Sequence, residues 1–170
     1  MATIEERVST LTDQQALSIV DFLAGEFASS DMPEGTKAQA QALGALLSRE
    51  GHDLDLSRVA QSSTTPAATA ARQVLLMMAQ VPQMKASVDQ WLDNPPVQET
   101  AAVPLLLAAP VVFTGCIALL QVVGHVKFKL DSKKQWGFHY DPGQPTIFDQ
   151  TLKDMVRTLA RLMRVMTAGS

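Results

Sequence analysis

Between Glu99 and Lys127 the chain carries no Asp, Glu, Lys or Arg. Residues 101–123 of this stretch are apolar almost throughout, with Leu105, Leu106, Leu107, Val111, Val112, Phe113, Ile117, Leu119 and Leu120 as its bulk. A segment of this kind must be covered, either by protein or by lipid. At about 1.5 Å per residue, a straight helix of this length crosses the hydrocarbon of a bilayer. It is too short for two spans. Thr114 and Gln121 are polar members that either setting tolerates. Lys127, Lys129, Lys133 and Lys134 follow, and on the positive-inside rule they would lie on the cytoplasmic side.

Two features argue against a plain span. Pro104, Pro110 and Gly115 interrupt the run, and Ala109, just before Pro110, is steered away from helical geometry. The N-terminal stretch MATIEERVSTLTDQQ contains acids and no apolar centre of a secretory signal, so nothing recognisable would carry the acidic N-terminal region across. The expectation is a bent apolar element buried in a core. A single span or a partial insertion into one leaflet is the alternative.

A chain of 170 residues fits one domain, or one small domain with an appendage, and can bury a real core. Eight Met and few aromatic residues suit a helical core with adaptable side chains. Cys116 is the only cysteine, which excludes an intrachain disulfide and is compatible with a reducing compartment. The expected location is cytoplasmic, with membrane association left open by the apolar run. Charge is unevenly placed: residues 1–99 hold six basic and thirteen acidic side chains, and residues 100–170 hold eight basic and four acidic. Such a layout can steer a partner or orient the chain at an anionic surface.

The fold class expected is mainly α: a helical bundle with one β-hairpin at about 126–140 and a C-terminal amphipathic helix. Thr3-Ile4-Glu5-Glu6 and Thr12-Asp13-Gln14-Gln15 are capping-box patterns. The first opens a turn or two, and the second a helix over roughly 13–29 with Ala16, Leu17, Ile19, Val20, Leu23 and Phe27 on one stripe. Thr36 can cap a helix to about Arg49, with Gly51 just past its end. A short turn at 57–60 comes next. A helix from Pro66 to about Gln80 has an apolar centre, Val74 to Met78, that implies burial on several sides. Pro82 ends or kinks it, and residues 83–93 are helical again. Asn94-Pro95-Pro96 is the strongest internal boundary, dividing an acidic helical region (1–94) from a second region (97–170) packed as one domain. Residues 126–130 and 136–140 alternate with period two, placing Trp136, Phe138 and Tyr140 on one face that should pack on helices. Thr146 or Asp149 can cap the last helix, which runs to about Met166. On it Lys153, Arg157, Arg161 and Arg164 form a basic stripe opposite Leu152, Met155, Val156, Leu159, Leu162, Met163 and Met166.

Catalytic signatures are missing. There is no glycine-rich phosphate loop, no H-E-x-x-H, no C-x-x-C and no G-x-S-x-G. His52 beside Asp53 and Asp55 has ligand chemistry but reads as a solvated loop. His125 and His139 flank the two strands and could face each other as a pH-sensitive pair, although ordinary sheet histidines explain them as well. Cys116 has only apolar neighbours, which raise a thiol pKa and mark a core residue. No metal, cofactor or enzymatic activity is expected.

Leu119 to Phe128, then Gln135-Trp136-Gly137-Phe138-His139, a proline-containing turn and a last helix resemble small accessory proteins encoded beside effectors in bacterial conflict (defence) gene clusters. The resemblance covers about residues 101–165. It contains no diagnostic motif, and it implies an effector-associated or membrane-associated component. The sequence thus leads to a non-enzymatic interaction or accessory protein acting through helical surfaces. Its alternative is a membrane-active or membrane-anchored protein that inserts residues 101–123. A protein partner is expected, and an anionic membrane surface could be met by Lys127, Lys129, Lys133, Lys134, Lys153, Arg157, Arg161 and Arg164. Nucleic acid is disfavoured by the acidic balance of the whole chain. Homo-oligomerisation is left open.

Overall fold

The computed structural model describes residues 2–27, 33, 35–49, 51–59, 64–95, 108–124, 127–130, 132–133, 136–139 and 147–168. Its first helix, α1 (Ile4–Ser9), opens on the expected capping box. The Glu6 N–H donates to Thr3 Oγ1 at 3.1 Å, and the Thr3 N–H donates to Glu6 Oε2 at 3.0 Å. The same reciprocal pair forms between Thr12 and Gln15 at the start of α2 (Asp13–Phe27), with bonds of 2.9 and 3.1 Å. Each satisfies donors that a helix start leaves orphaned.

In α3 (Thr36–Arg49), the Gln39 N–H bonds to the Gly35 carbonyl at 3.0 Å. Gly35, at φ +88°, therefore occupies the cap position expected of Thr36. The other end closes with the pair of bonds that a left-handed glycine permits. Gly51 has φ +86°, its N–H meets the Ser48 carbonyl at 3.0 Å, and the His52 N–H meets the Leu47 carbonyl at 2.8 Å. A single turn, α4 (Leu56–Val59), follows.

The next helix, α5 (Thr64–Ala79), holds Pro66 as its third residue, in the first turn, where a proline is tolerated. Pro82 is the first residue of α6 (Pro82–Asp93), so it starts a helix as well as closing the preceding turn. Helix α7 (Ala108–Gly124) begins inside the apolar run. Pro110 was expected to break that run, with Ala109 pushed out of helical geometry. Both instead lie in the first turn of α7, and the helix continues through Gly115. Leu105, Leu106 and Leu107 lie outside the described residues.

Strand β1 (Lys127–Leu130) pairs antiparallel with β2 (Trp136–His139), Phe128 opposite Phe138 and Leu130 opposite Trp136, and β2 lies against α3. The expected aromatic face of Trp136, Phe138 and Tyr140 falls outside the described side chains. The last helix, α8 (Ile147–Ala168), takes in Asp149 within its first turn, so that residue is no cap.

The fold is mainly helical. Helices α2, α5 and α7 pack on one another at its centre, α3 and α8 flank α7, and α1 and α6 lie on α5. One continuous apolar cluster joins residues from all of them. It crosses the boundary expected at Asn94–Pro96, because α7 packs between helices that precede that boundary. Val111, Val112, Phe113, Cys116, Ile117, Ala118, Leu119 and Leu120 are all buried. The α2–α7 crossing is tight enough that a Cβ at Gly115 would lie 2.5 Å from Val20 Cγ1.

Candidate interaction surface

Helix α8 has two unlike faces. Met155, Val156, Leu159, Ala160, Leu162, Met163 and Met166 are buried against α5, α7 and α4. Arg157, Arg161, Arg164 and Val165 are exposed on the other side. Their spacing of three to four residues follows the helical repeat, so the three guanidinium groups climb one face in steps of about 4.5–6 Å. The buried face holds this row on a fixed scaffold, so little freedom would be lost in any contact it made.

The contacts of the row are weak. Arg157 Nη1 lies 3.9 Å from Asp154 Oδ1, with both side chains 66% exposed, a pairing that adds little stability. Arg164 Nη2 stands 3.4 Å from His52 Nδ1 and links α8 to the segment after α3. That contact, and the Ser48 hydroxyl donating to Asp53 Oδ1 at 2.7 Å, account for the loop that had ligand chemistry. Among the described residues no group of three or more His, Cys, Asp and Glu could hold a metal ion.

The structure does not bring every expected basic residue to this face. Lys153 lies on α8, but its side chain is outside the described ones. Lys127 and Lys129 occupy alternate positions of β1, opposite His139 and Gly137, and the hairpin packs on α3 with no comparable packing on α8. Lys133 is exposed in the turn. Lys134 and His125 lie outside the described residues, so the expected pairing of His125 with His139 does too.

The described part of the apolar segment, from Ala108 onward, lies in the interior of the fold. Among the described residues no helix is long and apolar enough to cross a membrane. On α7 the Thr114 hydroxyl is shared between the Pro110 carbonyl, at 2.9 Å, and Oε1 of the buried Gln39, at 3.2 Å. One heptad on, the Gln121 amide is buried with no partner among the described residues. Burial pushes the Cys116 thiol up to about 12. Because only the thiolate is nucleophilic, iodoacetamide at mildly alkaline pH should modify the native protein at least about a hundredfold more slowly than the urea-unfolded chain. Equal rates would show that the thiol is accessible. The sign for stability follows from the same shift: the unfolded thiol ionises first, so this group withdraws stability as pH rises from about 9 towards 12.

A second surface was missed in the sequence. Phe22 lies off the buried stripe of α2 and is 37% exposed. Its ring stacks on Trp91 of α6, with centroids 4.8 Å apart and planes inclined by 22°. Beside the stack, the Ser87 hydroxyl donates to Glu26 Oε1 at 2.9 Å. Asp21 is exposed on the same ridge of α2, and partial burial holds its carboxyl above the usual carboxylate range, so a nearby cation would favour its charged form. The available signal was Phe22 standing next to Asp21, out of phase with Leu23 and Phe27. The stack itself joins residues 69 positions apart, which no local pattern encodes.

Compared with family models, with curated proteins and with solved structures, the chain finds no match.

Proposed function

We propose that this protein is a non-enzymatic interaction protein that docks an acidic protein surface through the exposed cationic face of α8. The observation that carries this reading is the row Arg157, Arg161 and Arg164 on the outer side of a helix whose inner side is built into the core. Guanidinium groups suit the task because their planar fork meets carboxylates two bonds at a time. The lysines of β1 and the following turn add positive charge to the same half of the chain. The only thiol is buried and un-ionised, which supports a role without covalent chemistry.

An acidic protein is favoured over a lipid surface for a physical reason. An interfacial helix binds a membrane by sinking its apolar face among the acyl chains. The apolar face of α8 is already committed to α5 and α7, and among the described residues its outer face offers Val165 as its one large exposed apolar side chain. Insertion of residues 108–123 would require α7 to leave α2, α3 and α5. The likeness to accessory proteins of bacterial conflict clusters makes an effector-associated protein the first partner to test.

A photo-cross-linking residue at position 161 should yield a discrete adduct in cells of the source organism. The same residue at exposed Lys37 of α3 should not. The adduct should disappear in the Arg157→Glu/Arg164→Glu background, while anionic vesicles should fail to float the wild-type protein. Adducts that are equal at both positions, or that survive the charge reversal, would remove the proposal. Flotation that depends on the three arginines would replace it with the lipid reading.

A further inference from the structure

We infer that the acidic aromatic ridge formed by α2 and α6 receives the cationic α8 face of a second copy, so that the protein assembles head to tail. This rests on the reading of α8 as a docking face and names the partner as the chain itself.

Charge complementarity carries the argument. The exposed ridge of α2 presents Asp21, Phe22, Gly25 and Glu26, and the helix contains no Lys or Arg. Trp91 backs the ridge from α6, whose one basic residue, Lys85, stands six positions earlier. Asp89 and Asp93 of α6 are engaged by Arg7 of α1, whereas Asp21 and Glu26 of the α2 ridge have no basic side chain on their own helix. The exposed face of α8 is the converse: Arg157, Arg161 and Arg164 form its row, and Val165 stands at the edge of that row, one turn after Arg161.

Among the described residues, Phe22 at 37% and Val165 at 46% are the two exposed large hydrophobic side chains, and each sits within one of these faces. An apolar contact ringed by opposite charges is the usual anatomy of a specific interface, with the charges setting register and approach rate. Arginine also binds an aromatic face directly, so a guanidinium that reaches the Phe22–Trp91 stack finds both a ring and a carboxylate.

The two faces cannot satisfy each other within one molecule. Helices α2 and α8 each pack on α5 and α7, and they have no comparable packing on one another. Because the two faces differ, the contact is heterologous and builds rings or open chains instead of stopping at a symmetric pair.

Sedimentation velocity of the full chain over a concentration series tests this. Wild-type protein should gain mass with concentration and lose it with added salt. Arg157→Glu/Arg161→Glu and Asp21→Lys/Glu26→Lys should each weaken association at least about tenfold, and an equimolar mixture of the two should restore it. Phe22→Ser, which leaves every charge in place, should weaken association as well. Three results would overturn the inference: wild-type protein monomeric at the highest concentration reached, a ridge reversal that assembles like wild type, or a mixture that stays monomeric. If assembly fails while position 161 still captures a discrete adduct, self-assembly falls and the α8 reading stands. If both fail, the cationic face docks nothing and both readings fall.

Discussion

Replacing Ala118 with arginine should leave the protein without a cooperative melting transition. Ala118 is fully buried in the middle of α7, the helix that α2, α3, α5 and α8 all contact. The new side chain brings a volume that a close-packed core cannot accept and a charge with no partner. Overpacking alone costs about 1–3 kcal/mol, and an uncompensated buried ion costs several kcal/mol more. Together these reach the whole stability of an ordinary domain, about 5–15 kcal/mol. The control is Val165→Arg on α8, at a position 46% exposed, which should melt within about 0.5 kcal/mol of wild type. The measurement is circular dichroism with thermal and urea melts. An Ala118→Arg protein that melts like wild type would show that α7 is peripheral.

Gly115→Ala gives the second large effect, and its sign separates two accounts of the residue. Glycine inside a helix is normally a liability, and alanine there should stabilise by about 1 kcal/mol on propensity alone. Packing says the opposite. The added methyl would stand 2.5 Å from Val20 Cγ1 and 3.4 Å from Val74 Cγ1, and a β-branched valine has few rotamers to escape into. The expected outcome is destabilisation of about 1–3 kcal/mol by urea titration. Pairing the change with Val20→Ala tests the cause. If the methyl and Val20 clash, the double variant is less destabilised than the two single changes added together, by about 1 kcal/mol or more. Strict additivity, or a stabilised Gly115→Ala, would remove the close crossing of α2 and α7.

Much of the helical layout was legible because helix ends are local chemistry. Thr3 with Glu6, Thr12 with Gln15, and Gly51 after Arg49 each fix a boundary through bonds between residues within a few positions of one another. The amphipathic pattern of α8 was equally visible, since a period of three to four residues is written into one segment. Pro110 was harder to place. A proline is either a break or a start, and the choice depends on whether the helix begins before it or with it. Here Pro110 is the third residue of α7 (Ala108–Gly124), in its first turn, where a proline is tolerated.

The candidate surfaces divide in the same way. The arginine row was readable as a stripe, but whether that stripe faced solvent or core depended on what its opposite side packed against. The Phe22–Trp91 stack and the Glu26–Ser87 bond were not readable, because they join α2 to α6 across a gap of more than 60 residues.

The sequence by itself determined that residues 101–123 must be covered, that the two halves carry opposite charge, and where most helices start and stop. These follow from composition and short-range bonding. Only the tertiary structure decided that helices surround α7, that Gly115 is a contact instead of an interruption, and that α2 and α8, which carry the acidic and cationic faces, pack on α5 and α7 with no comparable packing on each other. Each of these is a matter of which distant elements come together. Apolar burial is non-directional and names no partner; the close packing of α2, α5 and α7 does.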